Sequence, residues 1–188
     1  MSGVRPSIND IIGLGNFLTN FRWFVTFSSL GTLANDLKLD SLNVQCEGIT
    51  FPKVGVPSVE VQIRGHKVKQ SGIADYGNTI TLTLVETTDM FIFSTIKKWR
   101  ELTWQTKTGK TVNKQDMTTS VTITRLDNND VPVWSVILHS CYLEDYDVGG
   151  DLDGSTADPT KPTMTLSFDY FEDGILDGAS SNGLQSIP

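Results

Sequence analysis

The sequence has few cysteines, no long apolar run and almost no basic residues in its last third. Cys46 and Cys141 are the two cysteines among 188 residues, and no CxxC or Cys/His spacing surrounds them. We therefore expect two reduced thiols that serve as small apolar side chains, and neither a disulfide framework nor a zinc site. No apolar run is long enough to span a bilayer. The first ten residues lack the features of a secretory signal, so we expect a protein made in a cytoplasm.

The charge is negative and unevenly distributed. The net charge of -7 argues against a general binder of polyanions, which needs a basic surplus. Residues 1–125 contain 14 Lys and Arg against 10 Asp and Glu, whereas residues 126–188 contain one Lys against 12 acids. This division indicates either a solvated acidic loop or a molecule with a basic pole and an acidic pole. The second arrangement suits head-to-tail contact between copies.

Two short motifs resemble ligand-binding loops and fail on spacing. In "GKT" at 109–111, the first glycine of a phosphate-binding loop would fall at Trp104. In "DLDG" at 151–154, a calcium loop would begin at Gly149 and end at Thr160, where a bidentate Glu is required. The sequence therefore predicts neither a nucleotide site nor a calcium site.

The two histidines do not indicate a catalytic centre. His66 lies among cations on an expected edge strand, which suggests an exposed solubilising residue. His139 alternates with Ile137 and Cys141, which suggests a hydrogen-bonded histidine in the core. No pair of carboxylates has an acid/base setting. We expect no enzyme, no catalytic residue, no metal and no cofactor.

Alternation of apolar and polar residues predicts a mainly β domain with one helix. The predicted helix, about 89–103, begins at an N-cap formed by Thr88 or Asp89. In the predicted second strand, Leu42, Val44 and Cys46 share one side. The predicted strands are 22–30, 41–52, 59–72, 78–86, 117–125, 133–146 and 163–171. The expected fold is an antiparallel β-sandwich or barrel with one flanking helix.

The predicted core and domain limits follow from this pattern. We expect an N-terminal arm at 1–20, a β domain at 21–172 and a flexible Gly- and Ser-rich tail at 173–188. An acidic loop is expected at 147–162. The residues expected to be buried between sheet and helix are Ile80, Leu82, Leu84, Phe93, Ile96, Leu166 and Phe168.

Three strands pair an apolar face with a face of Thr and Ser. They are 78–86, 117–125 and 163–171. Thr is a good strand former, so a half-exposed sheet is one explanation. The other is a channel wall, because short hydroxyl side chains offer no cation to phosphates and no aromatic platform to bases. Strands such as 59–72 could then add to the sheet of another copy.

The order of these segments resembles the tail tube proteins of contractile-tailed bacteriophages, in particular the major tube subunit of the T4-like type. The resemblance is carried over residues 20–172 by "FVTFSSLG…LNVQCEGITFPKVGV", "EVQIRGHKVKQSG", "NTITLTLVE", "FSTIKKW" and "TLSFDYF". It implies hexameric rings whose inner sheets join into a barrel and stack into a hollow tube. The implied partners are further copies of the chain, the sheath, the baseplate or tube-initiator protein and the tape-measure protein.

The same resemblance implies a place in the virion tail, assembled in the host cytoplasm, with genomic DNA passing through without specific binding and no membrane involved. The residues expected to face the lumen are Thr79, Thr81, Thr83, Thr163, Thr165, Ser167 and Asp169. The residues expected between subunits are Arg64, Lys67, Lys69, Ile11, Ile12 and Phe17. The alternatives are a tube subunit of a phage-derived particle, like R-type pyocins or type VI secretion, a monomeric ligand-binding β-sandwich, and a hydrolase.

Overall fold

The structure is a computed structural model that describes residues 8–13, 17–28, 37, 39–75, 77–150, 153–155 and 157–176. No helix among these residues is long and apolar enough to cross a bilayer. The elements, in chain order, are α1 (Ile8–Ile12), β1 (Trp23–Phe27), α2 (Asp40–Gln45), β2 (Cys46–Ile49), β3 (Ser58–Ile63), β4 (His66–Ser71), β5 (Thr79–Leu84), α3 (Phe91–Thr103), α4 (Lys114–Met117), β6 (Thr119–Leu126), β7 (Pro132–Asp147), β8 (Thr163–Ser167) and β9 (Tyr170–Ile175).

Seven of the strands form one sheet, in the order β1-β6-β7-β8-β5-β2, with β9 paired to β7. Strands β3 and β4 form a separate two-stranded sheet. The pairs β2–β5, β5–β8 and β7–β8 are antiparallel, as is β3–β4. The 13-residue α3 is the predicted flanking helix. A mainly β, antiparallel fold with this helix confirms the predicted fold class.

The chain divides into two compact units. The first gathers the described residues of 1–24, 123–136 and 173–188. Within it, the guanidinium of Arg22 lies 2.5 Å from the carboxylate of Asp130, and the backbone N–H of Leu126 donates to the carbonyl of Arg22 at 3.0 Å. The second unit comprises Val25–Thr122 and Ile137–Glu172. It contains α3, the two-stranded sheet, β5 and β8.

The core of the second unit follows the sequence pattern closely. Along β5, Ile80, Leu82 and Leu84 are at most 1% exposed, while Thr79, Thr81 and Thr83 are not buried. Ile96, Leu166 and Phe168 are also buried, as predicted. Phe93 is the exception, because 37% of it remains exposed. The buried stripe of α3 is Ile92, Thr95, Ile96 and Trp99, which leaves Phe93 at its margin.

The start of α3 differs from the prediction. Its N-cap is Met90, with a left-handed backbone and no side-chain cap, so Thr88 and Asp89 do not cap the helix. The carboxylate of Glu86 accepts the backbone N–H groups of Ile92 at 3.1 Å and Phe93 at 2.8 Å. An acceptor five residues before the first residue of the helix thus satisfies donors that are otherwise unpaired in the first turn.

The predicted second strand, 41–52, is wrong in its first half. Residues Asp40–Gln45 form α2, and only Cys46–Ile49 form a strand. Leu42 is fully buried whereas Val44 is 87% exposed, so these two side chains do not share a face. The side-chain oxygen of Asn43 accepts the backbone N–H of Val25 at 2.9 Å. This contact ties the helical turn to β1, a long-range interaction that alternation cannot reveal.

The predicted last strand, 163–171, is interrupted. Strand β8 ends at Ser167, and β9 begins at Tyr170 and pairs with β7. The backbone N–H of Asp169 donates to the carbonyl of His139 at 3.1 Å across this break. Strand β9 runs to Ile175, past residue 172, and residues 177–188 of the expected tail lie outside the described residues.

Candidate assembly surfaces

Six of the seven residues expected to face a lumen lie on one face of two neighbouring strands. The register between β5 and β8 places three hydroxyl-bearing pairs directly opposite each other: Thr79 with Ser167, Thr81 with Thr165, and Thr83 with Thr163. The hydroxyls of Thr81 and Thr165 are 3.3 Å apart and share a hydrogen bond. These six residues, called here the hydroxyl face, form an uncharged surface of short side chains.

Asp169 lies outside β8, two residues after its last residue, Ser167. It follows the end of β8, and Nζ of Lys114 on α4 donates to its two carboxylate oxygens at 2.6 and 2.5 Å. The hydrogen bonds from Lys114, the charge of Lys114 and a hydrogen bond from Ser140 lower the pKa of the Asp169 carboxyl. The carboxylate therefore stays ionised and engaged by its own chain.

The basic stretch 59–72 is a hairpin rather than the single strand predicted. Strands β3 and β4 pair antiparallel from Ser58 with Ser71 to Ile63 with His66. They are joined at Arg64 and Gly65, whose φ angles are 48° and 84°. Positive φ at both central residues is the geometry of tight hairpin turns, and it is uncommon for a residue with a side chain. Arg64 therefore lies at the tip of the hairpin.

The hairpin continues at its base into a longer ribbon. Gly55 and Asp75 exchange backbone hydrogen bonds of 2.8 and 2.7 Å, and the N–H of Gly72 donates to the carbonyl of Pro57 at 2.7 Å. A side chain at Gly72 would place its first carbon 2.5 Å from that carbonyl oxygen, so the close approach needs glycine. We call residues 55–75 the ribbon.

The two faces of the hairpin differ sharply in chemistry. Residues opposite each other in an antiparallel pair share a face, and Val61 lies opposite Val68. This mainly apolar face carries Val59, Val61, Ile63 and Val68, which are 53%, 40%, 61% and 51% exposed, together with Gln70 opposite Val59 and His66 opposite Ile63. The other face includes Ser58, Glu60, Gln62, Lys67, Lys69 and Ser71. All residues of both strands are exposed, so none of the residues that the structure describes covers this face.

The two lysines expected to contact another subunit have a carboxylate in their own hairpin. Glu60 lies 3.7 Å from Nζ of Lys67 and 3.2 Å from Nζ of Lys69. Exposed pairs of this kind contribute about 0–1 kcal/mol each and exchange partners easily. The pairs leave Lys67 and Lys69 accessible on the polar face.

The N-terminal arm also exposes apolar side chains. Ile12 is 70% exposed and Phe17 is 68% exposed, and Ile8 is similarly open to solvent, as is Phe21 directly after the arm. The side chain of Ile11, the remaining residue expected between subunits, lies outside the described residues. The structure thus places apolar groups on two separate segments, the arm and the ribbon.

His139 is not a hydrogen-bonded core residue, contrary to the prediction. Its side chain is 27% exposed and its ring stacks on that of Tyr170, with centroids 4.4 Å apart. Nε2 lies 3.8 Å from Glu172, beyond hydrogen-bonding distance. The cause is Ser140, whose φ of 57° interrupts the alternation of β7, so that Leu138 and Cys141 are both buried. His66 is exposed on the hairpin, as predicted.

The remaining reactive groups do not form a site among the described residues. No three His, Cys, Asp or Glu side chains cluster there as metal ligands. Cys46 and Cys141 are free thiols. Burial raises the pKa of Cys46 to about 11 and that of Cys141 to about 12, which keeps both protonated at neutral pH.

Sequence reasoning missed the ribbon's two-faced character, although a signal was present. Gly65 falls between two runs in which apolar residues alternate with polar ones, and glycine at such a point is typical of a hairpin turn. Read as one continuous strand, the stretch places Ile63 and Lys67 on the same side. Read as a hairpin, it separates them, because the turn resets the alternation.

No protein-family model and no curated protein matches the sequence. The fold, however, matches solved structures. A chain of the sheath-tube complex of an extracellular contractile injection system (PVC) in the extended state superposes with a TM-score of 0.60 at 11% identity, covering 90% of this chain and 99% of that one. A chain of the anti-feeding prophage tube terminating cap gives 0.60 at 12% identity, covering 86% and 93%.

A chain of the anti-feeding prophage baseplate, in its 6-fold symmetrised structure, gives a TM-score of 0.56 at 13% identity, covering 85% of this chain and 96% of that one. At such low identity the similarity establishes the fold. The resemblance to tail tube proteins that the segment order carries is thereby confirmed at the level of the fold, which this chain shares with components of contractile injection particles.

Proposed function

We propose that this protein is a structural tube subunit of a contractile-tailed bacteriophage, whose copies form hexameric rings that stack into a hollow tail tube. The observation that carries the proposal is the exposed apolar face of the hairpin, on a chain whose fold is shared with components of contractile injection particles. The phage genome passes through the tube into the host.

The hairpin supports assembly because it is not stable by itself in water. A two-stranded ribbon is marginal without a third strand or a packed face. Val61 and Val68 lie opposite each other and are 40% and 51% exposed, so burial against a second copy removes apolar surface that the monomer leaves in water. This is the role proposed for the basic stretch: a contact between subunits, with Arg64, Lys67 and Lys69 at its margin. The exposed Ile12 and Phe17 of the arm are proposed to contact a neighbour as well.

The hydroxyl face supports the proposed lumen. Thr81 and Thr165 bond to each other, and the face carries no charged side chain among its six residues. A wall of short neutral hydroxyls gives phosphates no cation to bind and gives bases no ring to stack on. DNA can therefore pass without being held.

The proposed partners are the sheath, the baseplate or tube-initiator protein and the tape-measure protein, and the proposed location is the virion tail, assembled in the host cytoplasm. A second candidate function is a tube subunit of a phage-derived contractile injection particle. It is favoured by the matches themselves, which come from an anti-feeding prophage and an extracellular contractile injection system.

The direct test is negative-stain electron microscopy of the purified chain over a range of concentrations. We expect six-fold rings, and tubes as the concentration rises, because each ring presents the same contacts to the next. Analytical ultracentrifugation of the same samples provides the measure in solution. A single monomer boundary throughout the range contradicts the proposal and favours a monomeric ligand-binding β-sandwich.

Replacing Thr81 with Lys is expected to leave tubes intact and to hinder DNA ejection. The change adds one cation per subunit to the proposed wall, and the resulting ring of cations holds phosphates. The measurements are tube yield by microscopy and ejection from assembled particles. Thr81→Gln is the matched control, since it adds a long neutral side chain and should eject normally. Loss of tubes in both variants places Thr81 in an interface or in the core instead.

A further inference from the structure

A second group of exposed apolar side chains lies where the ribbon begins and ends. Val54 and Val56 are 55% and 57% exposed, and they share a face because Gly55 alone separates them. Ile73, on the returning strand, is 90% exposed, so nearly its whole side chain is open to water. These three residues are called here the base patch.

The base patch lies on the polar face of the ribbon. Side chains alternate between the faces of a strand, so Val56 shares a face with Ser58, and Ile73 shares a face with Ser71. Both serines belong to the polar face of the hairpin. One extra residue, Ala74, follows Ile73 in the backbone ladder and forms a bulge there. Because the bulge lies beyond Ile73, it does not move that side chain to the other face.

The ribbon therefore exposes apolar side chains on both faces, at different distances from its tip. The apolar face of the hairpin is centred on Val61 and Val68, nearer the tip, and the base patch lies on the opposite side, nearer the base. Neither surface is covered by any part of the chain that the structure describes. A two-stranded ribbon is a single layer of backbone, so one partner packed on one face leaves the other face in water.

We propose that each ribbon lies between two other copies of this chain, one packed on the apolar face of the hairpin and one packed on the base patch. A subunit in a stack of rings has two kinds of neighbour, one beside it in its ring and one in the next ring. The proposal assigns the apolar face of the hairpin to the neighbour in the ring and the base patch to the next ring. The inference rests on the proposed tube function.

The surroundings of the base patch suit a contact between proteins. Its apolar centre is bordered by Ser58 and Ser71, and the charged side chains of Glu60 and Lys69 follow further along the same face. An apolar centre with a polar rim is the usual anatomy of such contacts. The backbone ladder joins the two surfaces in every copy, so one ribbon can connect a ring to the next without another protein.

The order of the two contacts follows from the stability of the ribbon. The hairpin is marginal without a packed face, so its contact is needed in the smallest assembly, which is the ring. At the base, Gly55 and Asp75 hold the two strands together with backbone hydrogen bonds of 2.8 and 2.7 Å. The base patch can therefore stay uncovered until rings meet. This order predicts that the two faces of the ribbon act at different stages of assembly.

The test is Ile73→Asp in the full-length chain. This variant is expected to form six-fold rings at the usual concentration and to fail to stack them. The concentration at which half of the rings are in tubes should rise about tenfold or more, because the contact loses apolar burial and gains an unpaired carboxylate. Negative-stain microscopy distinguishes rings from tubes, and analytical ultracentrifugation gives the fraction of each. A matching change at Val61, on the other face, is expected to remove rings as well.

Two control variants separate loss of the contact from a general effect of charge. Ile73→Val keeps an apolar side chain in the base patch, and Gln62→Glu adds a carboxylate to the same face of the ribbon, opposite Lys67 and away from the base patch. Both are expected to form tubes normally. Val56→Asp is the second test variant if Ile73→Asp does not fold, and circular dichroism checks the fold of each.

Three outcomes overturn the proposal. If Ile73→Asp and Val56→Asp form tubes at the usual concentration, the base patch is left to another protein. If the rings are lost together with the tubes, the two faces serve one contact rather than two. If the Ile73→Asp monomer unfolds at a lower urea concentration than the Ile73→Val monomer, the chain covers the base patch itself. Failure of the unmodified chain to form rings is a different result, which overturns the tube function.

Discussion

Replacing Val61 with Asp is expected to abolish rings and tubes while the domain stays folded. Val61 lies at the centre of the hairpin's apolar face, opposite Val68. Because the side chain of Val61 is exposed in the monomer, the core of the monomer does not depend on this residue. In the proposed assembly this face is buried against a neighbour, so the variant loses apolar burial and gains an unpaired carboxylate. Together these cost at least about 3 kcal/mol per contact, or roughly a hundredfold in the association constant.

The control for Val61→Asp is Gln62→Glu, one residue away on the polar face of the same strand. It adds the same charge, and Gln62 lies directly opposite Lys67, so the new carboxylate has a partner. We expect this variant to assemble as the unmodified chain does. Sedimentation over a concentration series measures both variants, with circular dichroism as the check on folding. Val61→Asp that assembles at the usual concentration places the ribbon outside the subunit contacts.

Replacing Leu82 with Ala is expected to destabilise the domain by about 2–5 kcal/mol. Leu82 is fully buried at the middle of β5, paired in register with Met164 on β8 and Ile49 on β2. Removing the branched end of the Leu82 side chain leaves a cavity. Because β5 is paired along both of its edges, it cannot move to fill that cavity. Urea unfolding should be followed in the Val61→Asp background, because assembly stabilises folded subunits and would obscure the difference.

Thr83→Ala is the matched control for Leu82→Ala, since Thr83 is the next residue of β5 and belongs to the hydroxyl face. Its loss should stay within about 0.5 kcal/mol, as for a substitution away from the core. Equal effects of the two changes, or a small effect of Leu82→Ala, indicate that the faces of β5 are assigned the wrong way round.

The sequence predicts those parts of the fold whose pattern is local. Strand β5 could be predicted because every second residue is apolar, and α3 because apolar residues recur every third or fourth position. The structure buries most of those side chains. The hydroxyl face follows from the same alternation. Its register could not be predicted, since Thr81 and Thr165 are 84 positions apart and pair through the sheet order.

Two of the errors have a common physical cause, which is that a group distant in sequence or outside the element decides the local geometry. Residues 40–45 alternate like a strand, yet Asn43 accepts a hydrogen bond from β1 and the segment is helical. The cap of α3 is supplied by Glu86 from outside the helix. The alternation of β7 is reset at Ser140, and His139 is displaced from the core with it.

The order β7-β8-β5 has a consequence for how the chain is made. Strand β8 lies between β7 and β5, and 84 residues separate Thr81 from its partner Thr165. The hairpin pairs across a two-residue turn, whereas one edge of β5 stays unpaired until β8 has been synthesised and lies between β5 and β7. A chain interrupted before β8 therefore lacks the strand that joins β7 to β5. Entry of β8 is therefore a late step in closing the sheet, and we expect chains that lack β8 to be degraded by proteases.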